Sequence, residues 1–353
     1  MRSRDRMYLD VVKGIAVFMM LWGHCIQYCT VGDVFFLENP VMKAIYSFHM
    51  PIFMLVSGYL FHFSFRKRNL KELLIHRTQG MLQPIIFGTV MANLLQMILH
   101  LVLSVPINLT DGSLLSGVME LYWFLWCVLA SSVAVGIACK ITQNRWLQTI
   151  LLCAGCFFVA LFPGKNFQLF MYPYFVVGFL WAKHREYLVK LTKPVRFLAL
   201  LIFPAILPYF RPKHTIYVTP MYSPELGLCG SLEVAAFRFL IGLAGSAFVL
   251  VLLELLFCLI EKKASVPGIL AGISRLGENS LQIYVLSAPL LSIFLPVVYD
   301  KITSILGYPL FGENQLLLGL VYTPLLSMSY AAGIYLVILL MKKLRIDTLV
   351  FGR

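Results

Sequence analysis

The sequence predicts an all-α fold: a polytopic transmembrane helical bundle of about ten spans with both termini cytoplasmic. Three observations predict it. Only 13% of the 353 residues are charged and 60% are hydrophobic, against about 25% charged in an ordinary soluble domain. Mean hydropathy is +0.84, more apolar surface than a soluble fold of this length can hide. The apolar residues fall in long continuous runs rather than alternating, which selects helices over a barrel. A cytosolic enzyme, a disordered chain and a disulfide scaffold are excluded. Seven of the eight cysteines lie in or beside apolar runs, Cys229 sits alone in a polar loop, and they read as packing residues. Cys153-x-x-Cys156 lacks a second ligand pair, so no metal is expected.

A span needs about 20 apolar residues, and ten candidates follow in order. The run 8–29 has no small-x-small cleavage site after it and reads as an uncleaved first helix. The run 41–63 carries Pro51, which would kink it, and Ser57-Gly58, which would let a neighbour approach closely. A dense basic loop, FRKRNLKELLIHRTQGMLQP, leads to 82–105, and 119–139 follows a loop holding an Asn108-Leu109-Thr110 sequon. The runs 147–162, 168–183 and 196–210 are short and contain or adjoin prolines, so they are the weakest part of the count. The runs 235–260, 279–299 and 315–341 complete it. With the N-terminus inside, 23 of the 29 Lys and Arg residues fall in inside segments and six outside, as the positive-inside rule requires. The formal net charge of +13 is thus a topology signal, and no nucleic-acid partner is expected. The chain reads as one transmembrane domain, 1–353.

An ionisable side chain at mid-span costs about 2.5–3.5 kcal/mol on insertion scales, so each is a functional candidate. Lys13 and His24 lie eleven residues apart in the first span. At about 100° per residue they share a face, with a rise of about 16 Å between them. Asp10 and Gln27 lie on the same face. Lys13 alone would be a snorkelling anchor; four polar groups in one stripe make His24 a functional candidate. His49, beside Pro51, suits either a site or a structural hydrogen bond at the kink. His62 and His100 lie near span ends and read as snorkelling side chains. Glu254, in the eighth span, is a minor candidate. Arg66, Arg68 and Arg77 serve topology in any case, and also have the chemistry of a phosphate site.

Four stretches together resemble the acyltransferase 3 family of integral membrane acyltransferases, in the fucose 4-O-acetylase-like branch that O-acetylates surface polysaccharides. They are YLDVVKGIAVFMMLWGH, FHMPIFMLVSGYL, the basic segment leading to LQP, and LGENSLQIYVLS. LYWFL at 121–125 fits the family's Trp-Phe-Leu segment, and the likeness covers about 5–340. Three positions depart from the family pattern: Lys13 where Arg is more usual, Gly80 for the second Arg of Arg-x-x-Arg, and Ser287 for a His.

The resemblance implies an acyl-CoA-dependent O-acyltransferase of the plasma membrane. It would move an acyl group, expected to be acetyl, from cytoplasmic acetyl-CoA to a hydroxyl of a cell-surface or lipid-linked sugar. No tightly bound cofactor is implied; acyl-CoA is a co-substrate. His24 would be the base, with Lys13 and Asp10 completing the catalytic set. Arg77, Arg66 and Arg68 would hold the CoA phosphates while the pantetheine arm carries the thioester toward His24. Tyr28, His49, Trp123 and Tyr284 would line the acceptor site. Direct attack and an acyl-histidine intermediate both remain open. The competing class is a polysaccharide or sugar-lipid exporter, which needs a glycan path but no CoA site. A sensor without turnover is a third. Gly- and Ala-rich helix faces leave a homo-oligomer open.

Overall fold

The computed structural model describes residues 3–30, 35–104, 121–185, 192–260, 268–311 and 314–351. Twelve helices account for most of them: α1 (Ser3–Cys29), α2 (Pro40–Lys67), α3 (Leu70–Leu103), α4 (Trp123–Ile141), α5 (Arg145–Val159), α6 (Lys165–Lys183), α7 (Thr192–Ile206), α8 (Gly227–Ile260), α9 (Gly268–Glu278), α10 (Ser280–Leu306), α11 (Gln315–Lys343) and α12 (Ile346–Phe351). There is no strand among the described residues. Every one of the ten sequence-read spans falls on a helix. Seven helices are long and apolar enough to cross a membrane: α1, α2, α3, α4, α8, α10 and α11. The chain is a polytopic helical membrane protein. The three short sequence runs, on α5, α6 and α7, are not among the seven. The 15 residues of α5 rise about 22 Å, short of the roughly 30 Å hydrocarbon core. Pro173 and Pro204 lie inside α6 and α7.

Two local readings are corrected. The basic segment read as a loop is helix from Leu70 onward. Asn69 Oδ1 accepts the Glu72 backbone N–H at 2.9 Å and Glu72 Oε2 accepts the Asn69 N–H at 3.4 Å, a capping box that starts α3 one residue later. Its 34 residues run about 51 Å, well beyond a membrane thickness. Cys229, read as a loop residue, is in the first turn of α8. The Asn108-Leu109-Thr110 sequon lies outside the described residues.

The chain divides into two compact units. The first comprises Met1–Tyr46, Leu82–Tyr122 and Pro267–Arg353. Its centre is α1, whose Val11, Val12, Val17, Leu21, Cys25 and Ile26 are fully buried, packed by α9, α10 and α11. The crossing with α9 is backbone on backbone. A Cβ on Gly14 would lie 2.0 Å from the Ile273 carbonyl oxygen, and one on Gly277 would lie 1.6 Å from that of Asp10. Helices α10 and α11 each contain a π-helical turn, at Leu290–Phe294 and Leu318–Tyr322. Pro296 and Pro324 follow them, and a widened turn accommodates a proline that can neither donate nor clear the preceding carbonyl. One freed carbonyl, Gly319 O, accepts from Trp22 Nε1 at 2.8 Å.

The second unit comprises Ser47–Met81 and Trp123–Val266. Here α4 packs on α5 and α6, and α7 on α8. Gly58 of α2 and Gly178 of α6 meet as the glycine pair of the first unit does. A Cβ on either would fall 2.0 Å from a carbonyl oxygen of the other helix, Phe175 O or Leu55 O. The close approach expected at Ser57-Gly58 is present. Arg238, only 2% exposed, donates to the carbonyls of His214, Thr215 and Thr219 at 2.7–3.1 Å and so fastens the segment before α8 onto that helix.

Candidate functional site

The polar stripe of α1 forms two groups. Lys13 Nζ pairs with Asp10 Oδ1 at 2.7 Å, and Asp10 is 7% exposed. One turn binds its own charges, which lowers the cost of keeping a lysine in an apolar helix. Eleven residues on, His24 Nδ1 lies 3.1 Å from Gln27 Oε1. The Tyr46 hydroxyl, from the first turns of α2, donates to that same oxygen at 3.3 Å. The Tyr28 ring stacks on the imidazole, with centroids 6.0 Å apart and planes 16° apart. Nε2 of His24 has no hydrogen-bond partner among the described residues. It is thus a nitrogen with its lone pair or proton uncommitted. His24, Gln27, Tyr28 and Tyr46 are positioned by tight packing beneath them: Ile26, Leu37, Met42 and Ile45 form a core with Trp22 and Tyr46 against it.

The sequence-read arginines belong to the second unit. Arg77 lies over the Phe61 ring at 5.1 Å, and its Nε is buried without a hydrogen-bond partner among the described residues. Arg68 Nη1 donates to Ser64 Oγ at 2.8 Å and is close enough to act electrostatically on Arg77. Two lysines join them that sequence reading counted only as topology. Lys140 sits over Phe65 at 4.5 Å, and Lys183 donates to Gln148. Arg66 and Lys183 both act on His62, whose Nδ1 is buried without a partner among the described residues. None of Arg66, Arg68, Arg77, Lys140 and Lys183 has a carboxylate at ion-pair distance among the described residues. Like charges on an aromatic floor repel one another, and the Arg77 Nε donor is unmet among the described residues. A polyanion would relieve both.

Of the four acceptor candidates, two fall in each unit. Tyr28 is at His24. Tyr284, in the same unit, spends its hydroxyl on the Leu121 carbonyl at 3.4 Å. Trp123, in the second unit, stacks face to face on Phe167 at 4.4 Å, so one face of its indole is taken. His49, also in the second unit, is 4% exposed. Glu254 is accounted for by Arg196, whose Nη2 is 2.9 Å from its Oε1. Tyr46 and Lys140 had no signal in the sequence, since each joins its group only through packing between helices.

His24 thus stands in an apolar helix of one unit, and the cations around Arg77 stand in the other. Residues 6–340 match the family described as "Acyltransferase domain", and the chain belongs to that family, acyltransferase 3. Among curated proteins it is 32% identical over 185 residues to nodulation protein NolL of Sinorhizobium fredii (strain NBRC 101917 / NGR234), covering 50% of this chain and 49% of that one. It is 29% identical over 187 residues to nodulation protein NolL of Mesorhizobium japonicum (strain LMG 29417 / CECT 9101 / MAFF 303099), covering 51% and 48%. The chain spans about half the length of the curated relatives it matches. No solved structure matches it.

Proposed function

We propose that the protein is a membrane O-acyltransferase that moves an acyl group, acetyl in the first instance, from acyl-CoA to a sugar hydroxyl. The observation that carries this reading is His24: an imidazole inside an apolar helix, held at Nδ1 and without a partner at Nε2 among the described residues. Nε2 takes the hydroxyl proton as the acceptor oxygen attacks the thioester carbonyl. The tetrahedral intermediate collapses with loss of the CoA thiolate, and the imidazolium returns the proton to that sulfur. The products are an acyl ester and CoA-SH. A positioned base of this kind contributes about 10²–10⁴-fold. Lys13, neutralised by Asp10, anchors α1 rather than touching the reacting atoms. The basic set around Arg77 binds the CoA phosphates, and Tyr28 packs against the acceptor. Both termini lie on the donor side, the cytoplasmic face of the plasma membrane, where the Lys and Arg excess falls.

The test is acetyl-CoA binding to the protein in lipid nanodiscs, for wild type and Arg77→Met. Methionine keeps the packing on Phe61 and removes the charge. The reading predicts saturable binding weakened at least about tenfold in the variant, the loss of one charge-assisted phosphate contact. Absence of binding to wild type would overturn it in favour of an exporter.

A further inference from the structure

We infer that Gln27, held by Tyr46, is the positioning residue that fixes the proton of His24 on Nδ1 and so presents Nε2 as the bare base. The inference rests on the reading of His24 as the base. A neutral imidazole carries one proton, and which nitrogen bears it is set by the partner of the other. A carboxamide oxygen can only accept. With Gln27 Oε1 at 3.1 Å from Nδ1, Nδ1 must be the N–H, and the lone pair is then on Nε2, which has no partner among the described residues. The opposite carboxamide orientation would aim an N–H at Nδ1, move the proton to Nε2 and abolish its basicity. Tyr46 bears on this choice. Its hydroxyl donates to Oε1 at 3.3 Å, so one oxygen collects two donors and the NH₂ group faces away from the ring. The i, i+3 spacing on one helix keeps Gln27 within reach at no cost in chain entropy, and Tyr28 stacked on the ring limits its rotation. The arrangement places a neutral amide where hydrolytic triads place a carboxylate. It can set the tautomer but supplies no negative charge to the imidazolium.

The experiment uses ¹⁵N-histidine-labelled protein in nanodiscs, with the His24 signals assigned by their loss in His24→Ala, together with transfer kinetics. Wild type is expected to show a protonated Nδ1 and a bare Nε2. Gln27→Leu should populate the other tautomer and lower kcat about 30-fold, with the KM for acetyl-CoA unchanged within about twofold, the pattern of an interaction that acts on the chemical step alone. Gln27→Glu presents an oxygen acceptor whether ionised or not and should recover kcat to within about threefold of wild type. Tyr46→Phe should cost only a few-fold. A wild-type His24 protonated at Nε2, a Gln27→Leu protein with wild-type kcat, or a Glu variant as slow as the Leu variant would each overturn the inference. If Gln27→Leu does not fold, the wild-type tautomer and the Glu variant still decide. Full activity in His24→Ala would instead remove the base reading and leave the tautomer result standing.

Discussion

His214 shows what burial does to an imidazole outside the spans. Its Nδ1 accepts the Arg211 backbone N–H at 2.9 Å, and its ring lies 4.4 Å from that of Phe237. Burial, then the charges of Lys213, Arg238 and Arg211, push it down to about 4 against a small opposing effect of Glu233. Its folded pKa lies below the unfolded value of 6.5, so the unfolded segment binds the proton first. The stability this group contributes is full above pH 6.5 and is lost as pH falls from there toward 4. Protonation at Nδ1 also ends the bond to Arg211. Amide exchange of residues 211–226, corrected for intrinsic rate, should therefore lose protection between pH 6.5 and 4.5 in wild type. In His214→Asn, which keeps an acceptor for the Arg211 N–H and cannot titrate, that loss should vanish; equal pH dependence in both proteins would refute the account. At this scale the sequence was a fair guide within one helix. Asp10, Lys13, His24 and Gln27 share a face by arithmetic alone, and the structure splits them into an ion pair and a hydrogen-bonded imidazole. Tyr46 and Lys140 were illegible, because no spacing rule tells which residue of another helix will arrive.

Paired glycines set how closely the helices cross. At Gly58 and Gly178 the backbones touch so directly that neither position has room for a methyl group. Gly58→Ala should separate α2 from α6 and lower the thermal midpoint by several degrees, since forcing atoms into a packed contact costs about 1–3 kcal/mol. Gly80→Ala is the control. Nothing lies within 4 Å of a Cβ there, and alanine gains up to about 1 kcal/mol of helix propensity over glycine. The first variant should melt lower than wild type and the second at or above it. Melting of Gly58→Ala at the wild-type temperature would refute the crossing. The Ser57-Gly58 pair was readable because small residues have one main use in a membrane helix. The start of α3 was misread although its signal was present: Asn69 and Glu72 are spaced as a capping box, and the density of Lys and Arg around them suggested a loop instead. The π-helical turns left no trace in the sequence beyond the prolines that follow them.

For the whole molecule, composition and hydropathy sufficed to place the chain in the membrane, because no soluble packing absorbs 60% hydrophobic residues. Family membership was legible in four short stretches and holds over residues 6–340. The distribution of the candidate residues between two units was not legible, since hydropathy marks where a helix runs and not which helices it joins. His24, Tyr28 and the Asp10–Lys13 pair belong to one unit, and Arg66, Arg68 and Arg77 to the other. The central claim is that His24 is the base of an acyl transfer from CoA. The most direct test is CoA release from acetyl-CoA in nanodiscs across a panel of sugar and lipid-linked sugar acceptors, for wild type and His24→Ala. The account predicts acceptor-dependent release by wild type and a fall of at least about 10²-fold in the variant, with acetyl-CoA binding retained. Undiminished release by His24→Ala would contradict it.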